Sequence, residues 1–348
     1  MLFRPPSAGA RPCETARMLD VCICTHDPRP GVLREVLASV AAQTAGAGAF
    51  RVLVVDNAST PPLAGELIRV IENANVPVRM VREPKLGIAQ ARYRAICETT
   101  GQWTLFVDDD NVLAPSFVEE GLNFIAGRKD IGCFGGKLLL PPDIEPPSFA
   151  LSFLPFLGIR DLGNETVIVR EAKWTRWVPP AAGAFVHRRL LEVYRQVFET
   201  GEGLNELGRK GRGGLGSCED ALLMSFAFDL GLDTAYVPSL VLSHRLDPRR
   251  FRISYLMRLM YGYGRSHAVL YRLTHDTPRL PPAYASPHAF LSATAHNTKD
   301  EMIGRGLVFG LSRLGYHLAA WKEHRRLAAS DRARGTAGAP DVRREESR

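Results

Sequence analysis

Nowhere in these 348 residues do some 18 apolar residues run together without a charge or a helix breaker, so no segment is expected to cross a bilayer as a helix. The first residues, MLFRPPSAGARPCETAR, also lack the continuous apolar core of a secretion signal, and 1–17 read as a loose leader. Cysteine is sparse. Its six positions, Cys13, Cys22, Cys24, Cys97, Cys133 and Cys218, include no second Cys or His pair at zinc spacing. Cys22 and Cys24 lie two apart on an expected strand and so share a face, which suits buried thiols of a cytoplasmic protein better than a disulfide framework. No G-x-G-x-x-G follows the first apolar run, which argues against a dinucleotide-dependent oxidoreductase. The segment THDPRPG there is a poor phosphate loop, which argues against a sugar-phosphate nucleotidyltransferase.

What is present is the balance of an ordinary folded chain, 45% hydrophobic and 23% charged, enough for one large or two intimately joined domains. The net charge of +7 is concentrated. Between Arg245 and Arg279 eight arginines stand against two acids, Asp247 and Asp276, so this stretch alone carries +6. Solvated helix faces are the ordinary reading of such a run; an anionic acceptor or peripheral contact with an acidic membrane surface is the sharper one. No nucleic-acid-binding motif accompanies the arginines, so nucleic acid is not an expected partner.

Along the chain, apolar runs of strand length alternate with helical patterns. LDVCIC (Leu19 to Cys24) precedes Val32, Leu33, Val36, Leu37 and Val40 at helical spacing, and RVLVV (Arg51 to Val55) precedes Leu63, Leu67, Val70 and Ile71. Val78 to Val81, a helix from Gly87 to Thr99, and WTLFV (Trp103 to Val107) continue the series. This alternation predicts an α/β fold with a Rossmann-like, mostly parallel central sheet, helices on both faces and a helical C-terminal extension. The expected divisions are 18–135, 136–245, 246–327 and a structureless polar tail over 328–348. Prolines between 141 and 158 predict loop; Lys173 to Val178 reads as a strand, His187 to Phe198 as a helix, and Gly201 to Gly216 as a glycine-rich loop.

Polar residues close three of these strands: Thr25-His26-Asp27, Asp56-Asn57 and Asp108-Asp109-Asp110-Asn111. An open α/β sheet binds its ligand along that edge. Three consecutive aspartates repel one another unless a cation or a set of donors is present, and hard carboxylate oxygens suit Mg2+ or Mn2+ with a substrate diphosphate as co-ligand. Asp56 alone reads as a turn or helix cap. Glu219-Asp220 opens a helix, where acids favour the macrodipole, yet the glycine-rich loop before it also suits a lid over substrate. Trp174 and Trp177 are spaced to stack on a sugar ring or to pack into the core.

The ordered segments VCICTHDPR, RVLVVDNAST, EPKLGIAQARYRA, WTLFVDDDN, PPAAGAFVHRRLL, GSCEDALLMSFAFDLG and LVLSHR resemble glycosyltransferase family two over about Leu19 to Arg265. That resemblance implies a GT-A fold, a nucleotide-sugar donor (a UDP-sugar is favoured), a divalent metal, and transfer of one sugar with inversion to a sugar, lipid-linked or small-molecule acceptor. It implies that Thr25 and Asp56 hold the nucleoside, and that Lys85, Gly87 and Arg92 lie near ribose and phosphates. Asp108, with Asp109 beside it, and Asp110 would form the DxD element. Asp110 and Asp108 would face the metal, completed by His244. Gly183, Ala184 and Trp177 would line the acceptor side, and Asp220, with Glu219 beside it, would be the general base. Lys85 and Asn111 depart from the residues common in that family, and no Gln-x-x-Arg-Trp motif of its processive members is present. A non-catalytic nucleotide-binding scaffold of the same fold is the remaining alternative.

Overall fold

The computed structural model describes residues 19–170, 175–200, 207–210, 214–274, 281–284 and 286–337. The expected leader, Trp174, most of the glycine-rich loop and the end of the polar tail lie outside the described residues. Strand β1 (Leu19–Thr25) leads into α1 (Pro30–Ala41), and β2 (Phe50–Asn57) into a 3-10 turn and the single-turn α2 (Arg69–Glu72). Next come β3 (Val78–Glu83), α3 (Ile88–Glu98), β4 (Trp103–Asp108), the short β5 (Asn111–Leu113), α4 (Phe117–Ile125) and β6 (Ile131–Leu139). The second part comprises β7 (Val167–Val169), β8 (Ala184–His187), α5 (Arg188–Glu199), α6 (Glu219–Asp229) and β9 (Asp233–His244). Three long helices complete the fold: α7 (Ile253–Thr274), α8 (Pro287–Arg305) and α9 (Leu307–Ala337).

The strands form one sheet in the order β3-β2-β1-β4-β8-β6-β9-β5, with β7 added on β9. β1 pairs in parallel with β2 on one side and with β4 on the other, which makes its carboxyl end a topological switch point. β8 runs antiparallel between β4 and β6, and β6 and β9 are again parallel. Period-two alternation distributes β1 between two cores: Leu19, Val21 and Ile23 pack with α1 and α4, whereas Cys22 and Cys24 face α3, α5 and α6. Cys22, Cys24, Cys133 and Cys218 are buried free thiols, as expected, while Cys97 is exposed. In α1, Pro30 at the first turn fixes the entry, and Leu33, Val36, Leu37 and Val40 bury one stripe.

A third cluster joins the C-terminal helices to the proline-rich segment. That segment is not the plain loop expected: Ser148–Leu157 winds as a 3-10 helix and buries Ala150, Phe153 and Leu157 against Leu256, Leu259 and Phe309. The strand expected at Lys173 to Val178 is also absent where it can be followed, because Thr175 to Val178 form a turn. The Arg160 guanidinium satisfies the carbonyls of Trp177 (2.9 Å) and Val178 (2.7 Å), leaving no ladder for them to join. The strand at this edge is β7, antiparallel to β9. Helix α9 continues to Ala337, so the polar stretch from Ala328 begins as helix rather than as a structureless tail.

Candidate active site

A cavity of about 1180 Å³ opens at the switch point. The sheet contributes Thr25, Asn57 and Asp108 to its lining, α3 contributes Arg92, and the first turn of α6 contributes Glu219 and Asp220. The end of β9 adds His244, and the short 3-10 turn Pro248–Phe251 adds Arg250. Residues far apart in sequence therefore converge because β1, β2, β4 and β9 run the same way and deliver their carboxyl ends to this cavity.

The aspartate run is held in three different states. The Thr25 hydroxyl donates to Asp109, and burial together with the neighbouring Asp110 charge pushes Asp109 up to about 7. Burial also raises Asp108, against the pull of the Arg92 guanidinium 3.7 Å away. Burial works on Asp110 in the same direction, but the charges of His244, Arg250 and Arg209 outweigh it and hold this carboxyl well below the usual range. Arg250 Nη2 stands 3.3 Å from Asp110 Oδ2, and His244 Nε2 stands 3.2 Å from Asp110 Oδ1.

That His244 contact is off the line of a hydrogen bond. Neither ring nitrogen of this buried histidine has a hydrogen-bond partner, which is the costly state a ligand would relieve. Among the described residues no cluster of three or more His, Cys, Asp or Glu is preformed for a metal. One carboxylate and one unsatisfied imidazole, with Asp108 two residues before, fit the sparse protein share that Mg2+ or Mn2+ takes when a diphosphate supplies the rest.

The two acids of α6 differ sharply. Glu219 is buried and ion-paired with the equally buried Arg92. Asp220 is half-buried; its Oδ1 accepts from Ala221 N (2.9 Å) and its Oδ2 lies 3.4 Å from Ala181 N. Cys218, in the left-handed region at φ 68°, turns the chain so that both acids enter the cavity wall.

Several expected site residues are elsewhere. Asp56 spends both oxygens on its own turn, accepting from Ser59 N (3.1 Å), Leu63 N (3.2 Å) and Arg82 Nη1 (3.0 Å), the capping role its residue type suggests. Its neighbour Asn57 faces the cavity instead and ties Gly87 N (2.8 Å) and the Lys85 carbonyl (2.7 Å) beneath the entry to α3. Gly87 lines the cavity; the Lys85 side chain is exposed and does not. Gly183 and Ala184 lie behind the lining, where Gly183 at φ 71° lets the chain turn into β8 and a Cβ would stand 2.4 Å from Leu242. Ala182 takes the wall position. Trp177 packs against Tyr236, ring centroids 5.7 Å apart, and is likewise not part of the lining. Arg250 is hidden, in the sequence, within the basic stretch that reads as helix surface; its one signal is the six-residue distance from His244.

Residues 20–144 match the model of Glycosyl transferase family 2. The Rossmann-like, mostly parallel central sheet and helical C-terminal part expected from the sequence are the ones observed. The chain is 26% identical over 191 residues to the succinoglycan biosynthesis protein ExoW of Rhizobium meliloti, covering 52% of this chain and 56% of that protein, so it spans about half of that relative's length. Similar solved structures include the mannosyltransferase PcManGT of Pyrobaculum calidifontis with GDP-Man and Mn2+, at 18% identity and a TM-score of 0.49, covering 97% of this chain and 84% of that one. Residues 1–349 of S. aureus TarS in complex with UDP give 15% identity and a TM-score of 0.48, covering 91% of each chain.

Proposed function

We propose that this protein is an inverting glycosyltransferase that moves one sugar from a nucleotide-sugar donor, a UDP-sugar by preference, to an acceptor hydroxyl. The observation that carries this reading is a cavity that brings the Asp108–Asp110 run, within the residues 20–144 that match family 2, together with Asp220 of α6. Thr25, Asn57 and Gly87 form the wall nearest the nucleoside, and Arg92 and Arg250 bring positive charge toward the phosphates. Asp110 and His244, with Asp108 beside them, would hold a divalent cation, which supplies positive charge against the leaving diphosphate. Asp220 takes the proton of the acceptor hydroxyl as that oxygen bonds to the anomeric carbon. The carbon–oxygen bond to the diphosphate breaks with its electron pair leaving on the diphosphate, and one displacement inverts the centre. Glu219 is committed to Arg92 and therefore positions rather than accepts the proton. The basic stretch from Arg245 favours peripheral contact with an anionic membrane on the cytoplasmic side, where a lipid-linked acceptor would be met.

A thermal-shift screen of UDP, GDP and their sugar conjugates with Mn2+ identifies the donor, because a ligand bound only by the native state raises the melting temperature. With that donor and an acceptor, Asp220→Asn is expected to keep nucleotide affinity while single-turnover rates fall by roughly 100-fold or more. Near-normal turnover would remove Asp220 as the base. Asp110→Ala is expected to abolish the Mn2+ dependence of nucleotide binding in calorimetry, with the fold intact; unchanged metal dependence would exclude Asp110 as a ligand.

A further inference from the structure

The cavity continues past Asp220 into a lobe that the reading above leaves empty. Its volume of about 1180 Å³ exceeds the roughly 300–1000 Å³ usual for one drug-sized ligand, so a nucleotide sugar need not fill it. The lobe is walled by the C-terminal helices and the short segment before α8, through His267, Tyr271, Tyr284, Tyr316 and His324. Ser266 Oγ accepts from Ser217 N at 2.9 Å, which fixes α7 against the approach to α6, and Asp220 lines the same cavity as the lobe.

The chemistry of this wall is distinctive in what it omits. After Arg250 in the chain, no described residue lining the cavity carries a carboxylate, an ammonium or a guanidinium. The histidines do not supply the missing charge at neutral pH: burial, with Arg313 nearby, holds His267 down to about 4, and burial lowers His324 against the opposing charge of Glu323. Tyr271 and His324 meet edge to face with centroids 5.6 Å apart, Tyr284 and His324 lie 5.3 Å apart, and His267 Nδ1 lies within hydrogen-bond reach of the Tyr316 hydroxyl. Tyrosine hydroxyls and neutral imidazoles both donate and accept, as sugar hydroxyls do, and aromatic faces cover the apolar face of a pyranose. The nearby Arg313 stacks on the Tyr316 ring at 4.2 Å and is not part of the lining, so among the described residues no cation faces this part of the cavity to pair with an anionic acceptor.

We propose that this lobe is the acceptor subsite and that it takes an uncharged saccharide ring, presenting one hydroxyl to Asp220. The assignment rests on the glycosyl-transfer reading for its purpose but not for its test. Saturation-transfer NMR with methyl β-glucoside, methyl β-galactoside and glucose 1-phosphate reads the lobe directly, without any turnover. The wild-type protein is expected to transfer saturation to at least one neutral glycoside in preference to the sugar phosphate. Tyr271→Ala and His324→Ala should each lower that signal by 5-fold or more, and Tyr271→Phe, which keeps the ring, should retain most of it. His267→Ala, at the Tyr316 side of the lobe, serves in place of either alanine variant that does not fold. Affinity for UDP or GDP with Mn2+ should be the same in all of them. No transfer to either neutral glycoside, an undiminished signal in the folded alanine variants, or a preference for glucose 1-phosphate would overturn the assignment. Failure of the wild type to bind either nucleotide would instead count against the glycosyl-transfer reading and leave the saccharide site standing.

Discussion

At the scale of single residues, the site is governed by which charges have partners. Arg92 and Glu219 are each about 95% buried and face each other, so each exists as an ion only because the other is there. Removing one leaves an uncompensated charge in the interior. Arg92→Met is therefore expected to cost about 3–5 kcal/mol in urea unfolding, whereas the double variant Arg92→Met/Glu219→Met should recover much of that loss. A double variant as unstable as the sum of the two single ones would show that the residues do not act as a pair. The resemblance names Asp220 as the base with Glu219 beside it, but the sequence does not show what Glu219 is paired with. Its partner is Arg92, reaching across from α3, a contact between residues 127 positions apart in the chain. For Asp56 the residue type alone points to the turn cap that is observed, while its neighbour Asn57 is the one that lines the cavity.

At the scale of elements, legibility follows the strength of the local pattern. The β1 to β4 alternation and α5 are readable to within a few residues, because buried strands are continuous apolar runs and amphipathic helices repeat every three to four residues. Where partners satisfy the backbone from a distance, the pattern fails. Arg160 serving the carbonyls of Trp177 and Val178 replaces an expected strand, and three buried apolar side chains make a 3-10 helix out of a proline-rich stretch. The packing of α7 on α9 is equally hidden, since it depends on a bare backbone: a Cβ on Gly264 would stand 2.1 Å from the Tyr316 carbonyl oxygen. Gly264→Ala is expected to destabilise the protein by about 1–3 kcal/mol by forcing the helices apart. Gly315→Ala, also within a helix but with open space around the new methyl, should instead be neutral or stabilising by up to about 1 kcal/mol. Equal effects at the two positions in thermal or urea unfolding would show that the close approach of α7 and α9 is not what Gly264 provides.

At the scale of the molecule, the C-terminal helices do two things at once: they wall the inner cavity with aromatic residues and present a different face to the outside. No described helix is long and apolar enough to cross a membrane. Yet Leu307, Leu311 and Leu314 are 59%, 43% and 44% exposed at i, i+4 and i+7 of α9, and Ile303 at the end of α8 is 77% exposed. Leu151 of the 3-10 segment is exposed at the same end, where Ser152 Oγ lies 3.4 Å from the Arg305 carbonyl. Exposed Arg252 adds positive charge in this part of the fold, and Arg249 and Arg305 are exposed beside their partners Asp247 and Glu301. An apolar stripe with basic residues is the composition of a helix that lies in a membrane interface, where buried apolar area and attraction to anionic lipid add. Such attraction is screened over about 10 Å at 0.1 M salt, so binding should be strong on anionic vesicles at low salt and fall several-fold at about 0.5 M. Leu307→Ser/Leu311→Ser changes only exposed side chains and is expected to weaken vesicle co-sedimentation several-fold while the melting temperature and nucleotide affinity stay as they are. Equal partitioning onto neutral and anionic vesicles, or an unaffected double variant, would mean that this face meets something other than a lipid surface.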